Sequence, residues 1–320
     1  MAPFIEIKNL VKIFSGRGFL NRRKAAVRAV DRVSFGIERN TVFGLVGESG
    51  CGKTTLVRSI LFLDPPTSGE IRFDGTSLGT LSSRELRAFR KRMQIVFQDP
   101  NSALNPKMRI DDSLAEGLVN CGFPAVERDR RIRRLLDLVG IAAAHRTRFP
   151  HEFSGGQKQR IVIARALCME PDFLVLDEPV SNLDVSIQAQ IINLLLDLKN
   201  ELALTYLFIS HDLNLVGYFS DQLGVMYQGR LVELASADEM IRNPCHPYTR
   251  KLFSSVPGKQ TEMEEEDDAA PERPGKKYAA GSAAGCSYAE YCPIGDRQCQ
   301  AAEPRLTTIA AGHRAACFKA

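Results

Sequence analysis

Hydrophobic and polar positions along the chain follow two periods. Residues Phe4–Phe14 and Val27–Ile37 alternate well enough to predict half-buried antiparallel strands. Thr41–Val46 is a short apolar strand, followed by a glycine-rich loop and a helix from about Lys53. Met93–Phe97 reads as a further strand. Helices are predicted over Val126–Val139 and Ser154–Met169, the second capped by Ser154. Phe173–Leu176 and Thr205–Ile209 are wholly apolar, the pattern of parallel strands buried on both faces. Between them Val185–Asn200 is amphipathic, with Asp184 at its N-cap. Strands alternating with helices imply a parallel α/β sheet.

This pattern stops after Pro257. Residues 1–257 are expected to form one α/β domain, and 258–284 a polar linker containing the acidic run Glu264–Asp268. Residues 285–320 are rich in cysteine and too few for a conventional core, so something must staple them. No internal repeat is visible. The chain has 320 residues and a net charge of +4, too weak an excess to argue for nucleic acid. The basic clusters Arg17–Arg28 and Arg128–Arg134 read as solvated faces, with contact to lipid headgroups or a membrane partner as the alternative. The opening residues carry charges where a signal peptide needs an apolar core, and no stretch approaches the ~18 apolar residues of a membrane span. Membrane association is therefore expected through partners. The 8 cysteines, without a secretory signal, point to a reducing compartment and to thiols or metal ligands.

The chemistry starts at Gly47-Glu48-Ser49-Gly50-Cys51-Gly52-Lys53-Thr54-Thr55, which fits the P-loop pattern G-x-x-x-x-G-K-[ST]. Its glycines let backbone N–H groups converge on phosphate oxygens, and the following helix adds its positive end. Lys53 would neutralise the β- and γ-phosphates, and Thr54 would ligate Mg²⁺. Phe173–Asp177 is an apolar strand ending in a carboxylate, which it delivers to the sheet edge where ligands bind. Asp177 would hold Mg²⁺, and Glu178 is placed to take the proton of an attacking water.

Phe153-Ser154-Gly155-Gly156-Gln157 narrows the class. It resembles the LSGGQ signature of ATP-binding-cassette (ABC) proteins, with Phe for the leading Leu. A serine cap and two glycines open a helix whose amino end can receive an anion. Since the P-loop already serves this chain's own nucleotide, a second γ-phosphate site implies a dimer. Other cassette elements resemble the family in order. Phe14 matches the aromatic that stacks on adenine, and Gln98 the Q-loop glutamine that touches Mg²⁺ or water. Ser181-Asn182-Leu183-Asp184 resembles the D-loop, and His211 the switch histidine at the γ-phosphate. The resemblance covers about residues 4–255. It implies a P-loop NTPase of RecA-like core with an antiparallel β-subdomain and an α-helical subdomain over about 99–170. Lys53, Gln98, Glu178 and His211 would be catalytic. Thr54, Gln98 and Asp177 would hold Mg²⁺.

Asn243-Pro-Cys-His246-Pro247-Tyr248-Thr249 and the tail from Gly285 resemble the dipeptide/oligopeptide importer ATPases. Tyr288 and Tyr291 depart from the Phe and Arg usual there. The resemblance implies a subunit on the cytoplasmic side of the cell membrane, attached through two permease subunits. It would pair with a second, non-identical ATPase and draw cargo from an extracytoplasmic solute-binding protein. An importer of nickel or another small solute, or a soluble non-transport ABC ATPase, are the alternatives. Cys286, Cys292, Cys299 and Cys317 are spaced C-x5-C-x6-C-x17-C. Structural zinc usually shows the tight Cys-x-x-Cys pairs missing here. A [4Fe–4S] cluster tolerates looser spacing and is what the resemblance implies, with zinc the alternative.

Overall fold

A computed structural model describes residues 2–16, 24–254 and 285–320. The expected linker, 258–284, lies outside the described residues. Two compact units are distinguishable, one of Met1–Ile37, Phe43–Thr80 and His211–Ala320, the other of Glu38–Val42 and Leu81–Ser210. Element labels run in chain order through both.

The first unit contains β1 (Ile5–Gly16), β2 (Lys24–Ile37), most of β3 (Val42–Val46), α1 (Lys53–Ile60), β4 (Ser68–Phe73) and β5 (Thr76–Ser77). Strands β2-β1-β4-β5 form an antiparallel sheet in that order. Ile5 pairs with Ile37 and Ile7 with Phe35. These four side chains are buried, as the alternation predicts. The β4–β5 hairpin turns on Asp74 and Gly75, both at positive φ, an Asp-Gly pair suited to a tight hairpin turn.

The second unit contains α2 (Ser83–Arg92), β6 (Met93–Val96), α3 (Pro100–Ala103), α4 (Ile110–Asn120), α5 (Ala125–Leu138), α6 (Gly155–Leu167), β7 (Phe173–Asp177), α7 (Val185–Leu202) and β8 (Thr205–Ile209). Strands β6, β7 and β8 are parallel neighbours. β8 is buried throughout and β7 at all but its last residue, which explains their predominantly apolar side chains. The arginines of α5 are paired locally, Arg130 with Glu127 at 2.7 Å and Arg133 with Asp129 at 2.8 Å. That pairing supports the solvated-face reading.

The chain returns to the first unit with α8 (Leu213–Phe219), β9 (Gln222–Tyr227), β10 (Arg230–Ser236), α9 (Ala237–Arg242) and α10 (Pro247–Ser254). The tail adds α11 (Arg297–Ala301), β11 (Thr307–Ala310) and β12 (His313–Ala315). Within this unit the strand order is β11-β12-β10-β9-β3, with β3 and β9 parallel. β9 and β10 join through Gln228 and Gly229, again both at positive φ. The cysteine-rich tail thus closes on the sheet, pairing Glu233 with Ala315 and Leu234 with Arg314.

Gly44 marks how tightly β3 is packed. A Cβ there would lie 2.5 Å from Leu223 Cδ2 and from Ser220 Oγ, and 2.6 Å from Val216 Cγ1. Gly44→Ala is expected to destabilise the protein by about 1–3 kcal/mol through overpacking, read as a lowered unfolding midpoint in urea.

Candidate functional site

Strand β3 is buried along its whole length and delivers the chain to Gly47. Gly47 and Gly52 sit at φ +151° and +110°, and a Cβ would meet Met226 O at 2.1 Å and Ala29 O at 2.2 Å respectively. Only glycine fits either place. Gly52 caps α1 without a side-chain bond, so the helix's first N–H groups keep their capacity for an anion. Lys53 is buried, and its ammonium donates to Gly47 O at 2.6 Å and Glu48 O at 3.0 Å. Glu48, Ser49, Gly50 and Thr54 are exposed, Thr55 is half-buried, and Cys51 is buried. Burial pushes the Cys51 thiol up, which keeps it protonated beside Lys53. Phe14 is 43% exposed on β1, with the Lys12 ammonium 5.4 Å from its ring centre. His211 is exposed and precedes α8, which Asp212 caps by accepting from Leu215 N–H at 3.1 Å.

In the second unit Asp177 ends β7 half-buried, opposite Ile209. Glu178 follows at φ +49°, a left-handed conformation that costs a non-glycine residue about 1–2 kcal/mol. Its N–H donates to Ile209 O at 2.9 Å, which fixes the turn. Gln98 bridges the start of the helical segment to this turn. Its amide donates to Glu178 Oε2 and to Ser181 Oγ, each at 3.1 Å. The structure therefore brings Gln98 to Glu178 and Ser181, which lie about 80 residues further along the sequence.

Ser154 caps α6 as expected. Its hydroxyl accepts from Gln157 N–H at 3.3 Å, and Gln157 Oε1 accepts from Ser154 N–H at 3.0 Å. Ser154, Gly155 and Gln157 face solvent and Gly156 is half-buried. A Cβ on Gly156 would lie 2.6 Å from Ile187 Cγ2, so glycine lets α6 approach α7. Asp184 stands where the sequence reading places it. It occupies the N-cap position of α7, but its side chain makes no capping bond. The exposed carboxylate leaves the cap to its own carbonyl, which accepts from Ile187 and Gln188 N–H at 2.9 Å.

The tail region holds residues that the motifs missed. Glu233 on β10 is fully buried, and its carboxylate accepts from Cys245 N–H at 2.7 Å and His246 N–H at 2.9 Å, with His313 Nε2 at 2.7 Å. A carboxylate inside the apolar run Leu231-Val232-Glu233-Leu234-Ala235 was the available signal. Among the described residues, Glu233, Cys245 and His313 offer metal-ligand atoms within 4.8 Å of one another. Hydrogen bonds already occupy both carboxylate oxygens, which accounts for the cluster without a metal. Tyr248 receives the Glu48 N–H on its hydroxyl at 3.0 Å. His246 Nδ1 accepts from Tyr248 N–H at 3.1 Å, and burial pushes this imidazole down to about 4.

Comparison with known proteins places this geometry. Residues 30–181 match the ABC transporter family, and residues 232–299 match the oligopeptide/dipeptide transporter C-terminal region. A putative peptide import ATP-binding protein of Brucella ovis is 46% identical over 318 residues, covering 99% of this chain and 98% of that one. The oligopeptide transport ATP-binding protein OppF of Bacillus subtilis is 51% identical over 257 residues, covering 79% and 82%. Among solved structures, cbiO1 from Clostridium perfringens, part of an ABC transporter complex, aligns with a TM-score of 0.66 at 28% identity, over 76% of this chain and 92% of that one. The dimeric post-hydrolysis state of the ATP-binding cassette MJ0796, bound to ADP and Pi, aligns at 0.64 and 27%, over 73% and 98%. The fold is that of an ABC-type ATPase, with the expected RecA-like core and its antiparallel and helical subdomains. Within that class, the chain belongs to the ATP-binding subunits of the dipeptide/oligopeptide importer family.

The expected [4Fe–4S] cluster is corrected. Cys286, Cys292, Cys299 and Cys317 do line one pocket, with His246, Tyr288 and Pro304. The family and the relatives matched across the tail are ATP-binding transport subunits, which give an iron–sulfur centre no support. Burial pushes the Cys286 and Cys292 thiols up. The thiols of this segment are free. Its staple is the Glu233–His313 contact together with pairing of β12 on β10.

His246 carries a pH signature. Its folded value of about 4 lies below the usual 6.5, so its contribution is complete above pH 6.5 and is lost as pH falls through 4. The loss should reach about 3 kcal/mol, read by urea unfolding between pH 7 and 4. His246→Asn, which keeps an acceptor for Tyr248 N–H, should flatten that limb.

Proposed function

We propose that this chain binds and hydrolyses ATP to drive import of dipeptides or oligopeptides, as one of two ATPase subunits beneath a pair of membrane permeases. The observation that carries this reading is one continuous chain joining a cassette to the oligopeptide/dipeptide transporter C-terminal region at 232–299. No helix of the described residues is long and apolar enough to cross a membrane, so the permeases would be separate chains on whose cytoplasmic side this subunit sits. Cargo would reach them from an extracytoplasmic solute-binding protein and never touch the ATPase. Residues 1–257 would be the cassette, with its helical subdomain at about 99–170, and 285–320 the appended segment.

In the proposed reaction Phe14 stacks on adenine and the amides of Gly47–Thr55 surround the phosphates. Lys53, held by the Gly47 and Glu48 carbonyls through two of its three donors, turns its charge and third donor to the β- and γ-phosphates. A hydroxyl from Thr54, a carboxylate from Asp177 and the amide oxygen of Gln98 are hard oxygen ligands that suit Mg²⁺, which supplies charge neutralisation when bound. Glu178, held by Gln98, takes the proton of a water whose oxygen bonds to the γ-phosphorus as the bond to ADP breaks. His211 contacts the γ-phosphate. Ser154, Gly155, Gly156 and Gln157, at the head of α6, close on the partner's nucleotide, with Asp184 beside the same interface. The partner is a second, non-identical subunit.

Glu178→Gln should keep ATP binding while hydrolysis falls at least ~100-fold in a phosphate-release assay, and near-normal turnover would remove Glu178 from the base role. Lys53→Ala should lose nucleotide binding itself, measured by equilibrium titration. For the assembly, purification from membranes should bring down two permeases and a second ATPase. Uptake driven by a nickel-binding rather than a peptide-binding protein would overturn the cargo, and recovery with ribosomes would overturn the transport reading.

A further inference from the structure

The peptide group joining Gly47 to Glu48 is held at both ends. Its N–H donates to Tyr248 Oη at 3.0 Å, and its carbonyl accepts from Lys53 Nζ at 2.6 Å. In a trans peptide these two groups point in opposite directions, so the pair of contacts fixes the rotation of one plane. The plane needs fixing. Gly47 lies at φ +151°, in backbone space where glycine turns with little steric hindrance. A flipped peptide would withdraw the carbonyl that aligns Lys53.

Tyr248 is itself immobilised. It lies on α10, is 1% exposed, and stands 200 residues from Glu48 in sequence. Its ring packs 4.5 Å from that of Tyr227 and 5.5 Å from that of Tyr288. Tyr288 belongs to the C-terminal segment, is 4% exposed, and also meets Tyr227 at 5.3 Å and His246 at 5.9 Å. A second route joins the same segment to the same loop. Glu303 pairs with Arg230 at 3.0 Å, and the adjacent Gly229 N–H donates to Cys51 O at 2.7 Å. The segment after the linker therefore bears on the P-loop at two points, although it contributes no residue to that loop.

We propose that Tyr248 is a positioning residue for nucleotide binding, holding the Gly47–Glu48 peptide so that Lys53 stays aligned, and that the C-terminal segment sets the firmness of that hold through Tyr288. The proposal rests on the nucleotide-site reading of the P-loop. It gives the cysteine-rich appendage a task, bracing the loop from behind.

The test is titration of the full-length chain with a fluorescent ATP analogue, with steady-state hydrolysis in the assembled complex. Tyr248→Phe removes one hydroxyl and keeps the ring. The dissociation constant should rise about threefold to tenfold, the worth of one net hydrogen bond, with the loss in kcat/KM carried mainly by KM. Tyr288→Leu should weaken binding in the same direction, and Tyr288→Phe should restore it. The Tyr248→Phe/Tyr288→Leu double variant should bind no more weakly than Tyr248→Phe alone, since both act through one contact. Unchanged affinity in Tyr248→Phe, with the wild-type chain binding normally, would overturn the positioning role. Fully additive effects would overturn the link to the C-terminal segment. A wild-type chain that fails to bind would instead overturn the nucleotide-site reading, and the proposal with it.

Discussion

A triphosphate is bound by backbone amides, and amides have no flexible side chain with which to search for a ligand. Their directions are set by whatever holds the backbone. In this protein the loop from Gly47 to Gly52 must adopt conformations closed to other residues, which makes it permissive and in need of external support. The support comes from Met226 and Ala29 packed against the two glycines, from Gly229 on the Cys51 carbonyl, and from Tyr248 on the Glu48 amide. The return hairpin β9–β10, helix α10 and the C-terminal segment can all be understood as the frame around that loop.

The carboxylate turn in the other unit obeys the same logic. Glu178 occupies a left-handed conformation that nothing in its own chemistry favours, and the bonds to Ile209 and Gln98 hold it there. Strain of this kind persists only when surrounding contacts outweigh it. Here they tie the candidate base to Gln98, the residue that the family resemblance places at Mg²⁺ or water.

The C-terminal segment shows how a small appendage can be secured by an existing sheet. Thirty-odd residues bury little apolar surface by themselves, and the family resemblance implied a cluster as the staple. The segment instead borrows an existing sheet: β12 pairs with β10, His313 meets the buried Glu233, and Tyr288 enters an aromatic group with Tyr227 and Tyr248. Glu233 is a charge at zero exposure. It is tolerable because backbone N–H groups of Cys245 and His246 join the histidine in compensating it.

Local chemistry was legible from residue order alone. The P-loop glycines, the apolar strands Phe173–Asp177 and Thr205–Ile209 and the Ser154 cap each draw on interactions within a few residues, so their pattern announces them. The two tight hairpins at Asp74-Gly75 and Gln228-Gly229 were weaker signals, since one lies in a polar stretch and the other uses glutamine where asparagine or aspartate is the stronger marker. Asp184 had the right position for a cap but spends its side chain on solvent, a choice that spacing cannot reveal. What residue order could not supply is any contact whose partners lie far apart along the chain. The bonds of Tyr248 to Glu48, Gln98 to Glu178 and Glu233 to His313 exist because the sheets bring those positions together. Sequence thus determined which groups can handle phosphate, and tertiary structure decided which way they point, because the direction of an amide or a carboxylate is set by its neighbours in space.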